Sequence, residues 1–161
     1  MAKARRYRIV HEDYLIEWLG SSFPPGTWRT NVRLGDKLIA KEAKALTESE
    51  RRWLLPFGAS ADAVVVNKGE AIIVEAMVRH EPGSIEDLLK YKELLPYTTG
   101  YEWTKDKPIR LILLTPLELG WFENFCRKHG VEVVHYKPLW VEEYLHTYPR
   151  YEWRGKLSTL K

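Results

Sequence analysis

The feature that most constrains this chain is the run Asp62-Ala-Val-Val-Val-Asn-Lys-Gly-Glu-Ala-Ile-Ile-Val-Glu-Ala-Met-Val, which carries one carboxylate at its start and another, Glu75, deep in its second half. β-Branched residues favour the pleated surface of a sheet, and Asn67-Lys-Gly supplies the positive φ of a tight turn, so the run predicts an antiparallel hairpin. The second strand is apolar enough to be buried, and a buried carboxylate needs a partner or a metal to offset its desolvation. Pairing outward from the turn brings residues around 62 and 75 opposite each other, so Asp62 and Glu75 can converge at one end. Two hard oxygen ligands placed this way suit Mg2+ or Mn2+. The plainer reading is that Asp62 caps its strand while Glu75 pairs with Arg79 or a lysine on a partly exposed face.

The remaining periodicities surround this hairpin with alternating elements. Tyr14, Leu15, Trp18 and Leu19 mark one face of a helix over His11 to Leu19, preceded by a strand-like Tyr7-Arg-Ile-Val. Trp28 to Leu34 alternates apolar and polar side chains as a half-buried strand does. Asp36 to Leu55 is helical material, divided in two by the capping box Thr47-Glu-Ser-Glu. Ser84 caps a helix whose stripe includes Ile85, Leu88 and Tyr91, and Pro96 stops it. Thr98 to Pro108 has no apolar period and reads as an exposed loop. Ile109 to Thr115 is a strand buried on both faces, Leu117 to His129 a helix closed by Gly130, Val131 to Tyr136 a strand and Val141 to Thr147 a last helix. The order predicts one α/β domain over residues 1–161: a mixed sheet flanked by helices on both faces, with 117–161 a helix-strand-helix extension.

Composition removes several classes. No apolar run approaches the roughly 20 residues of a membrane span, and the basic N-terminus leads into no signal-peptide core, so an intracellular protein is expected. The single cysteine, Cys126, allows no internal disulfide and reads as a buried thiol. None of the five histidines is spaced with another as a zinc pair, and the chain lacks a phosphate-binding glycine loop, a nucleophile elbow and a dinucleotide fingerprint. A formal net charge of +3 is compatible with a nucleic-acid ligand without requiring one. The absence of glutamine and the abundance of Lys, Arg and Glu are the composition of a protein from a hot environment. Trp140 and Tyr144 are expected to pack the last helix onto the sheet, and Tyr151 and Trp153 to be interface residues.

Over residues 12 to 115 the chain resembles the PD-(D/E)XK nuclease superfamily, whose motif is an aspartate on one strand and Glu-X-Lys on the next. Asp62 matches the aspartate, and Glu75-Ala76-Met77 matches Glu-X-Lys with Met77 in place of the lysine. The resemblance implies a restriction-endonuclease-like fold, with a Mg2+ or Mn2+ ion held by Asp62, Glu75 and the Ala76 carbonyl. It also implies an acidic residue from the first helix, Glu17 or Glu12. Asp87-Leu-Leu-Lys-Tyr91 stands where many members carry Gln-X-X-X-Tyr. A thioether can neither orient water nor stabilise phosphate charge, so Lys90 and Arg79 are the candidates to replace the lysine, Lys90 being the more capable base.

The activity so implied is hydrolysis of a nucleic-acid phosphodiester, with DNA the expected substrate and the cation activating the attacking water. Arg6, Arg29, Arg33, Lys41 and Lys44 are expected on backbone phosphates, with Tyr91 as a further nucleic-acid contact. The alternative is a catalytically inactive member of the same fold acting as a binding or assembly module, in a viral particle for instance, and Met77 favours it. A homodimer is a further expectation from the small size.

Overall fold

The computed structural model describes residues 7–38, 47–49, 59–80 and 84–148. Arg6, Lys41, Lys44, Tyr151 and Trp153, and most of the predicted helical pair between 36 and 55, lie outside them. Five strands form one sheet in the order β1 (Trp28–Arg33), β2 (Ser60–Asn67), β3 (Glu70–Ala76), β4 (Ile109–Thr115) and β5 (Val131–His135). β1, β2 and β3 are antiparallel neighbours, whereas β3–β4 and β4–β5 are parallel. The parallel pairs need helical crossovers, supplied by α2 (Ser84–Leu94) and α3 (Trp121–Lys128). Helix α1 (Tyr7–Ser22) precedes the sheet and α4 (Leu139–Thr147) follows it. The chain is therefore α/β, with a mixed five-stranded sheet between helices.

Two apolar clusters cover the two faces. On one, Ile73, Leu111 and Leu113 pack with Leu88 and Tyr91 of α2 and Cys126 of α3. On the other, Ile72, Val74 and Ile112 pack with Val10, Tyr14 and Leu19 of α1 and Val141 of α4. Alternation along β3 and β4 divides their side chains between the clusters, and this is why both strands read as continuous apolar runs. Trp140 and Tyr144 pack against the α1 side, and the Tyr14 hydroxyl donates to the Tyr136 carbonyl at 2.7 Å.

Several local expectations are corrected by packing. Tyr7 to Val10 is helical, not a strand, because Val10 is fully buried one helical turn before Tyr14 on the same face. The segment after Tyr97 is largely exposed, as expected, but it is not without structure: a 3-10 turn forms at Glu102–Thr104, and Thr98, Tyr101 and Thr104 are buried. Its anchors are side-chain bonds, Thr98 taking the Gly35 N–H at 2.9 Å and Asp36 taking the Thr99 N–H at 2.8 Å. These long-range polar ties leave no hydrophobic period in the sequence. The helix expected from Leu117 starts at Trp121, although Leu117 and Leu119 still pack into the core.

Candidate functional site

The β2–β3 ladder is regular from the turn out to Ala63↔Val74, and Lys68 and Gly69 take positive φ in the turn as a tight hairpin requires. One residue further, the pairing changes character. The Asp62 N–H donates not to a backbone carbonyl but to Oε1 of Glu75 at 2.9 Å, and the Ala76 N–H donates to Oδ2 of Asp62 at 2.9 Å. Each carboxylate thus satisfies a main-chain donor of the opposite strand, and both are fixed at the open end of the hairpin. The expected convergence of Asp62 and Glu75 is present.

A conformational oddity lies in the same row. Asn31, between the paired residues Thr30↔Ala63 and Val32↔Ala61, has φ +51° in the middle of a strand. Residues two apart on a strand face the same way, yet Ala63 lies in the α1-side cluster and Ala61 in the α2-side cluster, and Trp28 and Val32 divide likewise. The strands therefore rotate at the Asn31–Asp62 row without changing register. Asparagine tolerates this left-handed geometry better than most residues, and such strain persists where surrounding contacts impose it.

Helix α1 brings in a residue the sequence reading did not select. His11 Nε2 lies 2.8 Å from the Ala76 carbonyl and 3.4 Å from Asp62 Oδ2. A carbonyl only accepts, so Nε2 carries the proton in this contact. The imidazole thus touches two of the three oxygen donors that the motif resemblance assigns to a cation. Beside it a cavity of about 110 Å³ is lined by His11, Glu12, Thr30, Asn31 and Asp62. The available signal was weak: His11 is polar and only one residue from the buried Val10, which does not show where its ring points.

The electrostatics of the pair are those of crowded acids. Burial first, then the Asp62 carboxylate and more distantly Asp87, push the Glu75 carboxyl from its ordinary 4.5 to about 9. Burial, then Glu75, Asp87 and Asp62, also hold the Tyr91 hydroxyl above the usual phenol range. Asp87 and Tyr91, one helical turn apart on α2, therefore both face the carboxylates. Tyr91 is buried in the α2-side core, which removes its ring from stacking on a base.

The other predicted residues are placed as follows. Glu17 is not brought to the pair: its Oε2 accepts the Trp140 indole N–H at 2.8 Å, tying α1 to α4. Glu12 lines the cavity beside His11 and also accepts from Arg8 at 3.4 Å. Met77 is buried in the α2-side core, where its sulfur accepts the Ser84 hydroxyl at 3.9 Å. β3 ends at Ala76, so Arg79 does not continue its face. Its guanidinium donates to the Tyr144 hydroxyl at 3.2 Å and the Tyr148 carbonyl at 3.0 Å, and it lies over the Tyr7 and Tyr144 rings. Lys90 is exposed on α2, and Arg29 and Arg33 are exposed on β1.

Among the described residues no three His, Cys, Asp and Glu side chains stand close enough to form a metal cage by themselves. Two carboxylates and one carbonyl fit Mg2+ or Mn2+ instead, since these ions keep several waters of their own. Among the described residues no helix is long and apolar enough to cross a membrane. Comparison with family models, with curated proteins and with solved structures finds no match to this chain.

Proposed function

We propose that this chain is a divalent-metal-dependent phosphodiesterase of the PD-(D/E)XK type, with a restriction-endonuclease-like fold, acting on nucleic acid. The observation that carries the reading is the meeting of Asp62, Glu75 and the Ala76 peptide at the open end of the β2–β3 hairpin. A carboxyl held protonated among other acids, at a place where the ladder opens, is a costly arrangement that ion coordination relieves.

Asp62, Glu75 and the Ala76 carbonyl would hold the cation, with Glu75 in its ionised form. Mg2+ or Mn2+ supplies a lowered water pKa and neutralisation of charge developing on phosphate. His11, against Asp62 and the Ala76 carbonyl, would be placed to take or give a proton at the reacting phosphate. With Met77 in the core and Arg79 held by Tyr144 and Tyr148, His11 and Lys90 are the groups left to carry out the missing lysine's work. Asp87 adds to the repulsion on Glu75 from the α2 side.

The second reading, a catalytically inactive binding or assembly module, is favoured by Met77 and by the way the carboxylates close the splayed strand ends. The deciding experiment pairs Mn2+ titration calorimetry with cleavage of supercoiled, single-stranded and branched DNA at elevated temperature. Wild type should bind Mn2+ and cleave, Glu75→Ala should do neither, and His11→Ala should bind but lose cleavage by roughly two to four orders of magnitude. Absence of Mn2+ binding by wild type sinks the metal reading. Binding without cleavage, with activity appearing in Met77→Lys, makes the module reading correct.

A further inference from the structure

Strand β1 has a neighbour on one side only, so among the described residues its outer edge is open. A groove of about 430 Å³ runs along that edge, lined by Arg29, Asn31, Arg33, Thr99 and Tyr101. Asn31 and Thr30 border both this groove and the His11–Asp62 cavity, so the two spaces meet at the rotated row of the sheet. Arg29 and Arg33 are exposed, and among the described residues neither is engaged by a carboxylate. The one acid lining the groove, Asp36, is turned onto Thr99, whose N–H and hydroxyl both donate to it.

At roughly 3.3 Å per residue the two arginines stand about 13 Å apart along the strand, with Asn31 midway. The two cations thus stand four positions apart and flank Asn31, a span that takes in more than one phosphate of an extended sugar–phosphate chain. Beyond Arg29 a second hollow of about 270 Å³ begins, sharing Arg29, Thr99 and Tyr101 with the groove and reaching Trp28, Gly100 and Trp103. Trp103 is 38% exposed there, and the Trp28 indole N–H, buried, has no partner among the described residues. Unpaired cations followed by an accessible aromatic face are the two components by which proteins hold single strands without reading their sequence.

We infer that the outer edge of β1 is the track of a single nucleic-acid strand, with backbone phosphates on Arg33 and Arg29, the reacting phosphate passing Asn31 toward the carboxylates, and a base against Trp103. This rests on the phosphodiesterase reading for the direction of the strand into the site, and deepens it by naming the substrate's form. The two parts act differently. The arginines contribute counterion release, which salt weakens, whereas Trp103 contributes stacking, which salt leaves nearly unchanged.

The test is fluorescence anisotropy of labelled deoxyribo- and ribo-oligonucleotides of one sequence, titrated in EDTA across a salt series, which separates binding from hydrolysis and from the cation. Arg29→Ala/Arg33→Ala should weaken binding at low salt and make the slope of log K against log salt shallower by about 1.4, about 0.7 for each lost phosphate contact. Trp103→Ala should weaken binding about tenfold at every salt concentration with the slope unchanged. Lys128→Ala, which removes one charge on α3 beside the opposite edge strand, should leave both untouched. The deoxyribo and ribo arms name the strand held. Wild type that binds neither, a double variant with the wild-type slope, or an equal effect from Lys128→Ala overturns the track. Loss of Mn2+ binding with strand binding intact would instead overturn the metal reading alone.

Discussion

Strand β3 carries a glutamate near each end, and their fates differ. Glu70 follows the hairpin turn, half-buried, 3.5 Å from Arg110, which also forms a two-pronged pair with Glu132 on β5 at 2.9 and 3.0 Å. Glu75, at the other end, has no guanidinium or ammonium against it among the described residues. It accepts one main-chain N–H and faces Asp62 and Asp87, which together with burial keep its proton on to about pH 9. Water and an arginine make the first arrangement nearly costless, while the second opposes folding at neutral pH. A chain that spends stability on one glutamate and not on its neighbour marks the first as the one with a task.

The comparison assumes a strand rigid enough to hold both ends, and the largest expected effect tests that. Ile73, fully buried between them, should cost about 2–5 kcal/mol when changed to Ala, read from denaturant unfolding. A much smaller loss would mean that the open end of the hairpin is not fixed by the core.

Next in size is Glu75 itself. Its pKa is raised on folding, so its contribution to stability is fully present below about pH 4.5 and is lost as pH rises to about 9. Glu75→Gln removes the proton release that favours the unfolded chain as pH rises. The variant, without metal, should melt at least about 3 °C above wild type at pH 8.5, roughly 1 kcal/mol at this length, and no higher at pH 4. Equal melting at both pH values would break the contrast between the two glutamates.

Glu17→Ala should cost about 1 kcal/mol by leaving the Trp140 indole without its acceptor, with Mn2+ affinity unchanged in calorimetry. A fall in affinity would return Glu17 to the site. The smallest effect belongs to the Glu70 end: Arg110→Ala should shift stability by no more than about 1 kcal/mol, and less in high salt, because Glu132 is exposed and Glu70 only half-buried. A larger, salt-insensitive loss would show that both ends of β3 are under comparable constraint.

Much of this was legible along the chain because it is local. The Asn67-Lys-Gly turn sets the hairpin register, and the register alone places position 62 opposite 75, so the meeting of the two carboxylates follows from sequence. Helical and strand periods likewise named the order of the elements, and the two late crossovers predicted parallel pairing. Where apolar period was missing the reading was incomplete: the largely exposed segment after Tyr97 is anchored by Thr98 and Thr99 reaching Gly35 and Asp36, bonds that leave no pattern.

What only the tertiary structure decided is which distant side chains reach the pair. His11 meets the Ala76 carbonyl across 65 positions, and Glu17 meets Trp140 across 123. Both residues lie on one helix, and its rotation against the sheet sends one to the carboxylates and the other away. That rotation is set by Val10, Tyr14 and Leu19 filling the α1-side core, a sum of contacts from four elements. The left-handed Asn31 is of the same kind, since nothing in Arg-Thr-Asn-Val announces a rotation that the packing of two sheet faces imposes. Short-range stereochemistry thus determined the two acids, and long-range packing determined their neighbours.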